Sequence, residues 1–208
     1  MDTNISIIVA DVTRTFQRTM EVGNSFNTFI FSIGDKDVHR WYPVSLGNQT
    51  LYDLTIHFGT QSKPFMSSDT TRVGFRTSYL NLEPVTIGNN IAAGNHFHFE
   101  INGDIIYAKG SNIIQLSPFE PNVTREDYRY ILQSALDANH NMLRVWGGNY
   151  YFNDVFYDLC DEMGILLWTE TQFSDALYPA NNQSFIDNVI HEVIQNARRI
   201  SRHPSLAW

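Results

Sequence analysis

Arg144 stands inside an apolar run, Met142-Leu143-Arg144-Val145-Trp146, that reads as a short buried strand. A guanidinium left unpaired in such a setting costs on the order of several kcal/mol, so Arg144 requires a carboxylate partner, for structure or for function. Trp146 closes the run, where an indole either packs the interior or borders a site. Glu170 lies two residues beyond a second apolar run, Ile165-Leu166-Leu167-Trp168, and is a candidate ligand or a structural partner for an arginine. Asn112, in Lys109-Gly110-Ser111-Asn112, can both donate and accept hydrogen bonds, though asparagine often only fixes a loop.

Other reactive residue types point to less. Cys160 falls on a helical stripe with Phe156, Leu159 and Met163 and reads as a packing residue. As the single cysteine it excludes an internal disulfide and any multi-cysteine metal site. His96 and His98 alternate with aromatics and point to one solvated face. Asp161-Glu162, near a helix end, reads as solvated surface. Neither pair has a third ligand placed by sequence, so no metal and no cofactor is expected. Arg198, Arg199 and Arg202 gather at a helix C-terminus, where cations complement the dipole.

The 208 residues carry a formal net charge of -8, which leaves no basic face for a phosphate backbone and argues against a nucleic-acid partner. A 43% hydrophobic and 13% aromatic content suffices for packed cores. No run reaches the roughly 18 apolar residues of a membrane span. Met1-Asp2-Thr3-Asn4 shows no signal peptide, whereas Asn4, Asn48, Asn122 and Asn182 each begin an Asn-x-Ser/Thr sequon and hint at the secretory route.

The chain has two grammars. Up to about residue 85, short strands are expected at residues 28–31, 51–58 and 73–77, punctuated by Gly, Asn, Asp and Pro, as in an antiparallel sandwich. Residues 88–95 read as a linker. A hairpin follows, with Phe97, Phe99 and Ile101 leading into Asn102-Gly103 and Ile105 and Tyr107 leading out; Asn-Gly suits a two-residue type I′ turn. Then strand and helix alternate. Thr124 to Asp127 forms a capping box ahead of a helix through Ile131, Leu132, Ala135 and Leu136. Asn153 caps a second helix that Gly164 ends. Ser184 starts a third, and Ser205–Trp208 begins another strand. This alternation predicts a parallel sheet. Without a Gly-x-Gly-x-x-Gly after any strand, a barrel fragment is favoured over a dinucleotide fold. A full barrel needs about 250 residues.

Four stretches carry a family resemblance: Lys109-Gly110-Ser111-Asn112, Asn141 to Gly148, Asp158 to Trp168, and His203-Pro204-Ser205-Leu206-Ala207-Trp208. With Ala176-Leu177-Tyr178-Pro179, Arg40-Trp41-Tyr42-Pro43 and Gly47 to Tyr52, they resemble, in this order and spacing, the β-mannosidases of glycoside hydrolase family 2. The resemblance implies a multi-domain β plus α/β protein. Residues 1–87 would form most of an immunoglobulin-like β-sandwich, and residues 95–208 the first part of a (β/α)8 TIM barrel. It implies retaining exo-hydrolysis of terminal β-linked mannose from β-mannoside oligosaccharides, with an acid/base and a nucleophile glutamate about 5–5.5 Å apart. Both fall beyond Trp208 in the family pattern, so the chain by itself is expected to be catalytically silent and, as a cut barrel, poorly stable. Asn112, Arg144, Trp146 and Glu170 are implied to line the sugar pocket, at the carboxyl ends of barrel strands. An arginine holds carboxylates or hydroxyls, and an indole offers a sugar its flat face.

Three departures stand out. Ile113-Ile114-Gln115 replaces an aromatic followed by Ile-Pro, Asn149 replaces a third glycine, and Trp168-Thr169-Glu170-Thr171 replaces Trp-Gln-Asp-Phe. They leave open another exo-β-glycosidase of the family, such as a glucosaminidase, or a non-catalytic carbohydrate-binding paralogue. A lysosomal or secreted location is the expectation; oligomeric state is not legible.

Overall fold

The computed structural model describes residues 2–10, 12–19, 28–30, 32–34, 36–60, 63, 66–88 and 90–208. Its contacts divide the chain into two compact units, Met1–His39 with Thr50–Phe75, and Arg40–Gln49 with Arg76–Trp208.

The first unit is built on an antiparallel sheet in the order β2-β1-β3-β4, with β1 Asp2–Val9, β2 Val12–Thr19, β3 Tyr52–Thr60 and β4 Ser67–Val73. Ile5, Ile7 and Val9 are buried at alternate positions of β1, which fixes which face of that strand is covered. β3 lies where the alternation of residues 51–58 placed it. The other two expected strands do not. Thr28–Ile30 carry no regular structure and Phe31 lies outside the described residues. Residues 74–77 are irregular, and the strand sits earlier, over Ser67–Val73. That strand pairs on one side with β3, and its first four residues are exposed, so polar side chains suffice and no apolar alternation announces it.

The second unit begins before the expected boundary at residue 87. β5 (Ser78–Asn81) pairs with β8 (His98–Ile101), which pairs with β9 (Asp104–Ile106). The expected linker at 88–95 is instead mostly a strand. β7 (Asn90–Asn95) pairs with β6 (Pro84–Ile87), since Gly and Asn mark its bends without preventing pairing. The β8–β9 turn is as expected: Asn102 (φ 56) and Gly103 (φ 90) both take positive φ. Asn102 also ties this turn into the unit, since its Oδ1 accepts from Thr77 N at 3.0 Å and its Nδ2 donates to Trp41 O at 2.9 Å.

β10 (Gly110–Ile113), β11 (Met142–Val145) and β12 (Leu166–Thr169) then form a parallel sheet, with α1 (Arg125–Asp137) and α2 (Asp154–Met163) as crossovers. Thr124 and Asp127 complete the capping box. The Thr124 N–H and hydroxyl bonds hold the Asp127 carboxyl below its usual range. Asn153 caps α2, and Gly164 closes it in the left-handed region at φ 74. α3 (Gln183–Ile200) starts one residue before Ser184, capped by the Asn182 side chain. Residues 205–208 run beside β12 through one parallel bridge, Leu167 to Leu206, and hydrogen bonds such as Thr169 N to Trp208 O at 2.8 Å.

The core of this unit lies between one sheet face and the helices. Ile113, Leu143, Val145 and Leu167 meet Tyr128, Leu132, Phe156, Leu159 and Cys160 there. Burial pushes the Cys160 thiol well up, as befits a packing residue.

Asp161 is the main correction to the expected surface. It is 2% exposed, its Oδ2 is 2.6 Å from His203 Nδ1, and its Oδ1 accepts the Ser205 N–H at 3.0 Å. Its carbonyl accepts the Trp41 indole N–H at 2.9 Å. Half-buried Arg76 donates to Pro204 O and Leu206 O beside it, and its guanidinium pKa is lowered by burial against the opposing pull of Asp161. Oxygens of Asp158 and Asp161 and a nitrogen of His203 lie within 4.8 Å of one another. Arg202 reaches Asp158 at 3.4 Å, so both carboxylates of this cluster are met by donors of the chain itself. Glu162, by contrast, is the expected surface residue, paired to Arg125 at 2.8 Å with both side chains partly exposed. Asp161→Ala is therefore expected to cost about 3–5 kcal/mol, and Glu162→Ala no more than about 1 kcal/mol. Urea unfolding of the two variants decides this; equal losses would contradict the buried role of Asp161.

Candidate functional site

The parallel register puts side chains into rows. Asn112 is opposite Arg144, and Arg144 is opposite Trp168; one residue further, Ile113, Val145 and Thr169 form the next row. Since side chains alternate along a strand, the Asn112–Arg144–Trp168 row faces away from the α1–α2 core to which Ile113, Leu143 and Val145 belong. Glu170 follows β12 directly, so the polar groups collect at the carboxyl ends of parallel strands.

There the carboxylate that Arg144 required is Glu170. Glu170 Oε1 accepts from Arg144 Nε at 2.8 Å and from Nη2 at 2.5 Å. Arg144 Nη1 donates to Asn112 Oδ1 at 2.9 Å. The second carboxylate oxygen, Oε2, accepts the Gly147 N–H at 3.0 Å. The two charged side chains are 33% and 28% exposed, so the pair is half-buried and open to solvent on one side.

A cleft of about 360 Å³ opens over this row, lined by Ala108, Gly110, Ser111, Asn112, Met142, Arg144 and Trp168. Three of the four residues expected to act together are joined by hydrogen bonds, and two of them, Asn112 and Arg144, line the cleft. Trp146 does not. It lies in the turn after β11 with its ring against Gly148, where an added Cβ would come within 2.1 Å of the indole. The indole that lines the cleft is Trp168, packed against Phe97 and Phe99 at ring-centroid distances of 5.9 and 6.2 Å. Trp168 could have been found by counting back two from Glu170 along an alternating strand. The Gly147 N–H carries no side-chain signal at all.

His98 and Glu100, on β8, pair at 3.0 Å, and the Asn81 and His98 hydrogen bonds pull the Glu100 carboxyl below its usual range. His96 stacks edge-on against His98 at 5.5 Å. Neither histidine belongs to the cleft lining.

No family model matches the chain. Among curated proteins it is 47% identical over 170 residues to beta-mannosidase A of Neosartorya fischeri, an alignment covering 80% of this chain and 18% of that protein. It is 41% identical over 201 residues to beta-mannosidase A of Aspergillus terreus, covering 95% and 21%. The crystal structure of the β-D-mannosidase of Dictyoglomus thermophilum superposes with a TM-score of 0.88 at 31% identity, covering 99% of this chain and 25% of that one. The exo-chitosanase of Amycolatopsis orientalis, at 18% identity and a TM-score of 0.73, shares the fold. By family resemblance the chain is related to the glycoside hydrolases. Among these, its relatives over most of its length are β-mannosidases, which bears out the likeness carried by its motifs. The chain spans about a fifth of the length of the curated relatives it matches.

The turn beyond β11 offers a direct test of the site's construction. An added Cβ at Gly147 would lie 2.4 Å from Ser174 Oγ and 2.6 Å from Thr171 O. Gly147→Ala should cost about 1–3 kcal/mol through this overpacking, read as a lowered thermal midpoint. An unchanged midpoint would mean that residues 171–174 do not press on the turn.

Proposed function

We propose that this stretch belongs to a retaining exo-β-mannosidase that removes terminal β-linked mannose from β-mannoside oligosaccharides. On this reading β10, β11 and β12 are the opening strands of a (β/α)8 barrel, and the first unit is part of an immunoglobulin-like sandwich ahead of it. The observation that carries the reading is the Asn112–Arg144–Glu170 network at the carboxyl ends of parallel strands, beside an indole-lined cleft. Sugar hydroxyls need paired donors and acceptors, which Arg144 and Asn112 offer side by side. A pyranose C–H face needs a flat apolar surface, which Trp168 offers in the cleft.

Retaining hydrolysis also needs two carboxyl groups about 5–5.5 Å apart. Glu170 is the carboxylate of this network, and its charge is committed to Arg144, so it is assigned neither role. The acid/base and the nucleophile are proposed to come from parts of the protein outside these 208 residues. No metal or other cofactor is invoked.

The test is turnover of aryl β-mannoside by the full-length protein against the matching β-glucosaminide and β-glucuronide. β-Mannoside should be preferred, and Arg144→Lys should lower kcat/KM about 10- to 100-fold, the loss of charge-assisted hydrogen bonds. Preference for another glycoside would reassign the sugar, and binding without turnover would favour a carbohydrate-binding paralogue.

A secreted or lysosomal location is proposed with it. Asn48, Asn122 and Asn182, each the start of a sequon, are exposed. At Asn182 the helix cap uses the side-chain oxygen, leaving the nitrogen that would carry a glycan. Among the described residues, no helix is long and apolar enough to cross a membrane. Glycopeptide mapping of the protein from its natural source should find at least one of the three modified; none modified would count against the secretory route.

A further inference from the structure

We infer that Glu170 is a positioning residue, one that acts on a bound sugar through Arg144 and the turn after β11 without touching the sugar itself. This rests on the reading that a sugar occupies the cleft over Arg144.

Three observations carry it. The first is how fully the carboxylate is committed. Of its roughly four lone-pair sites, Oε1 receives two donors from Arg144 and Oε2 receives the Gly147 N–H. The second is where Glu170 stands. The cleft lining includes its neighbours Asn112, Arg144 and Trp168 but not Glu170. The third is that the turn is clamped from two sides. The Glu170 backbone N–H donates to Val145 O at 3.2 Å, and the Ser174 N–H donates to Gly147 O at 3.2 Å. Main chain and side chain of residues 170–174 thus fasten the end of β12 to the end of β11.

The consequence for recognition follows from the donors of arginine. A guanidinium has five N–H groups, and here three are spent, two on Glu170 and one on Asn112. The remaining two are on Nη1 and Nη2, the ends of the fork. Glu170 grips Nε and one Nη2 hydrogen, which fixes the plane of the fork and so the direction of the two free donors. Through Gly147 it also sets the turn that carries Trp146. The side-chain length matters, because one carboxylate must span Arg144 and the Gly147 amide together. Glutamate does so here; aspartate is one methylene shorter.

A double-mutant cycle in the full-length protein separates positioning from contact. Four proteins are compared on β-mannoside: wild type, Glu170→Gln, Arg144→Gln and the double variant. Glu170→Gln should lower kcat/KM about 10-fold, mainly by raising KM. In the Arg144→Gln background the same change should alter kcat/KM less than about twofold, because Arg144 is gone and the glutamine side-chain oxygen still accepts the Gly147 N–H. Losses of equal size in both backgrounds would mean that Glu170 meets the sugar itself, and would overturn the inference. If Glu170→Gln does not fold, Glu170→Asp, which keeps the charge but is too short to hold both partners, enters the cycle, and its loss should shrink in the Arg144→Gln background to the part owed to Gly147. A wild-type protein that binds β-mannoside but does not turn it over sinks the mannosidase reading alone, and the cycle is then read on Kd by calorimetry. No binding at all would remove the sugar from the cleft and the positioning role with it.

Discussion

A buried carboxyl group has to be met by hydrogen-bond partners, and Asp161 shows how much structure that requirement can organise. Its donors come from residues 42 and 44 positions later in the chain, His203 and Ser205. Its own carbonyl receives the indole of Trp41, from 120 positions earlier. Arg76 crosses to the carbonyls of Pro204 and Leu206. The end of α2, the segment alongside β12, and two segments that precede the parallel sheet thereby meet around one residue. Hydrophobic burial is non-directional and would tolerate several arrangements of these pieces; hydrogen bonds to one buried carboxylate do not. The placement of residues 205–208 beside Leu167, which extends the row of parallel strands, depends on that tie.

Arg144 on β11 and Glu170 just after β12 form an ion pair in a different setting. Both side chains retain about a third of their exposure, whereas His203 and Asp161 retain almost none. Water and salt reach the first pair and screen it, so its contribution to stability is small. Its value lies in geometry. A two-point grip on a guanidinium plane sets direction, which a lysine ammonium on a flexible stem would not reproduce. One pair holds the unit together, and the other aims a set of donors.

Much of this was legible in the sequence where a feature is local. Asn102-Gly103, Thr124 with Asp127, Asn153 and Gly164 each specify a turn or cap with residues a few positions apart, and each is found as read. The need of Arg144 for a carboxylate was legible too, because charge in an apolar strand admits few outcomes. What was not legible depends on distant partners. Asp161 resembles its surface neighbour Glu162 until residues 203–205 arrive. β4 is polar because its outward positions meet water, and β6 and β7 carry turn residues within paired strands. Trp146 and Trp168 could not be ranked by type alone, although Trp168 shares the strand alternation of Glu170. The register of β12 decides which one lines the cleft, and sequence patterns locate strands more readily than they fix register.

Register also joins the stability of this unit to its chemistry. Neighbouring parallel strands lie about 4.8 Å apart, so the pairing of Asn112 with Arg144 and of Arg144 with Trp168 places three side chains in one contiguous row. A slip of one residue in β11 would turn Arg144 toward the α1–α2 core and bring Leu143 or Val145 to the cleft. That slip would bury a guanidinium among Tyr128, Leu132 and Phe156, away from Glu170 and Asn112, while exposing aliphatic side chains to water. The apolar residues at 143 and 145 therefore do two things. They supply the burial that holds β11 against the helices, and by occupying the core-facing positions they leave Arg144 only the cleft face. The charged residue enforces the same register from the other side, since it is tolerable only where Glu170 and Asn112 can meet it. Core and site specify each other along the same four residues of strand.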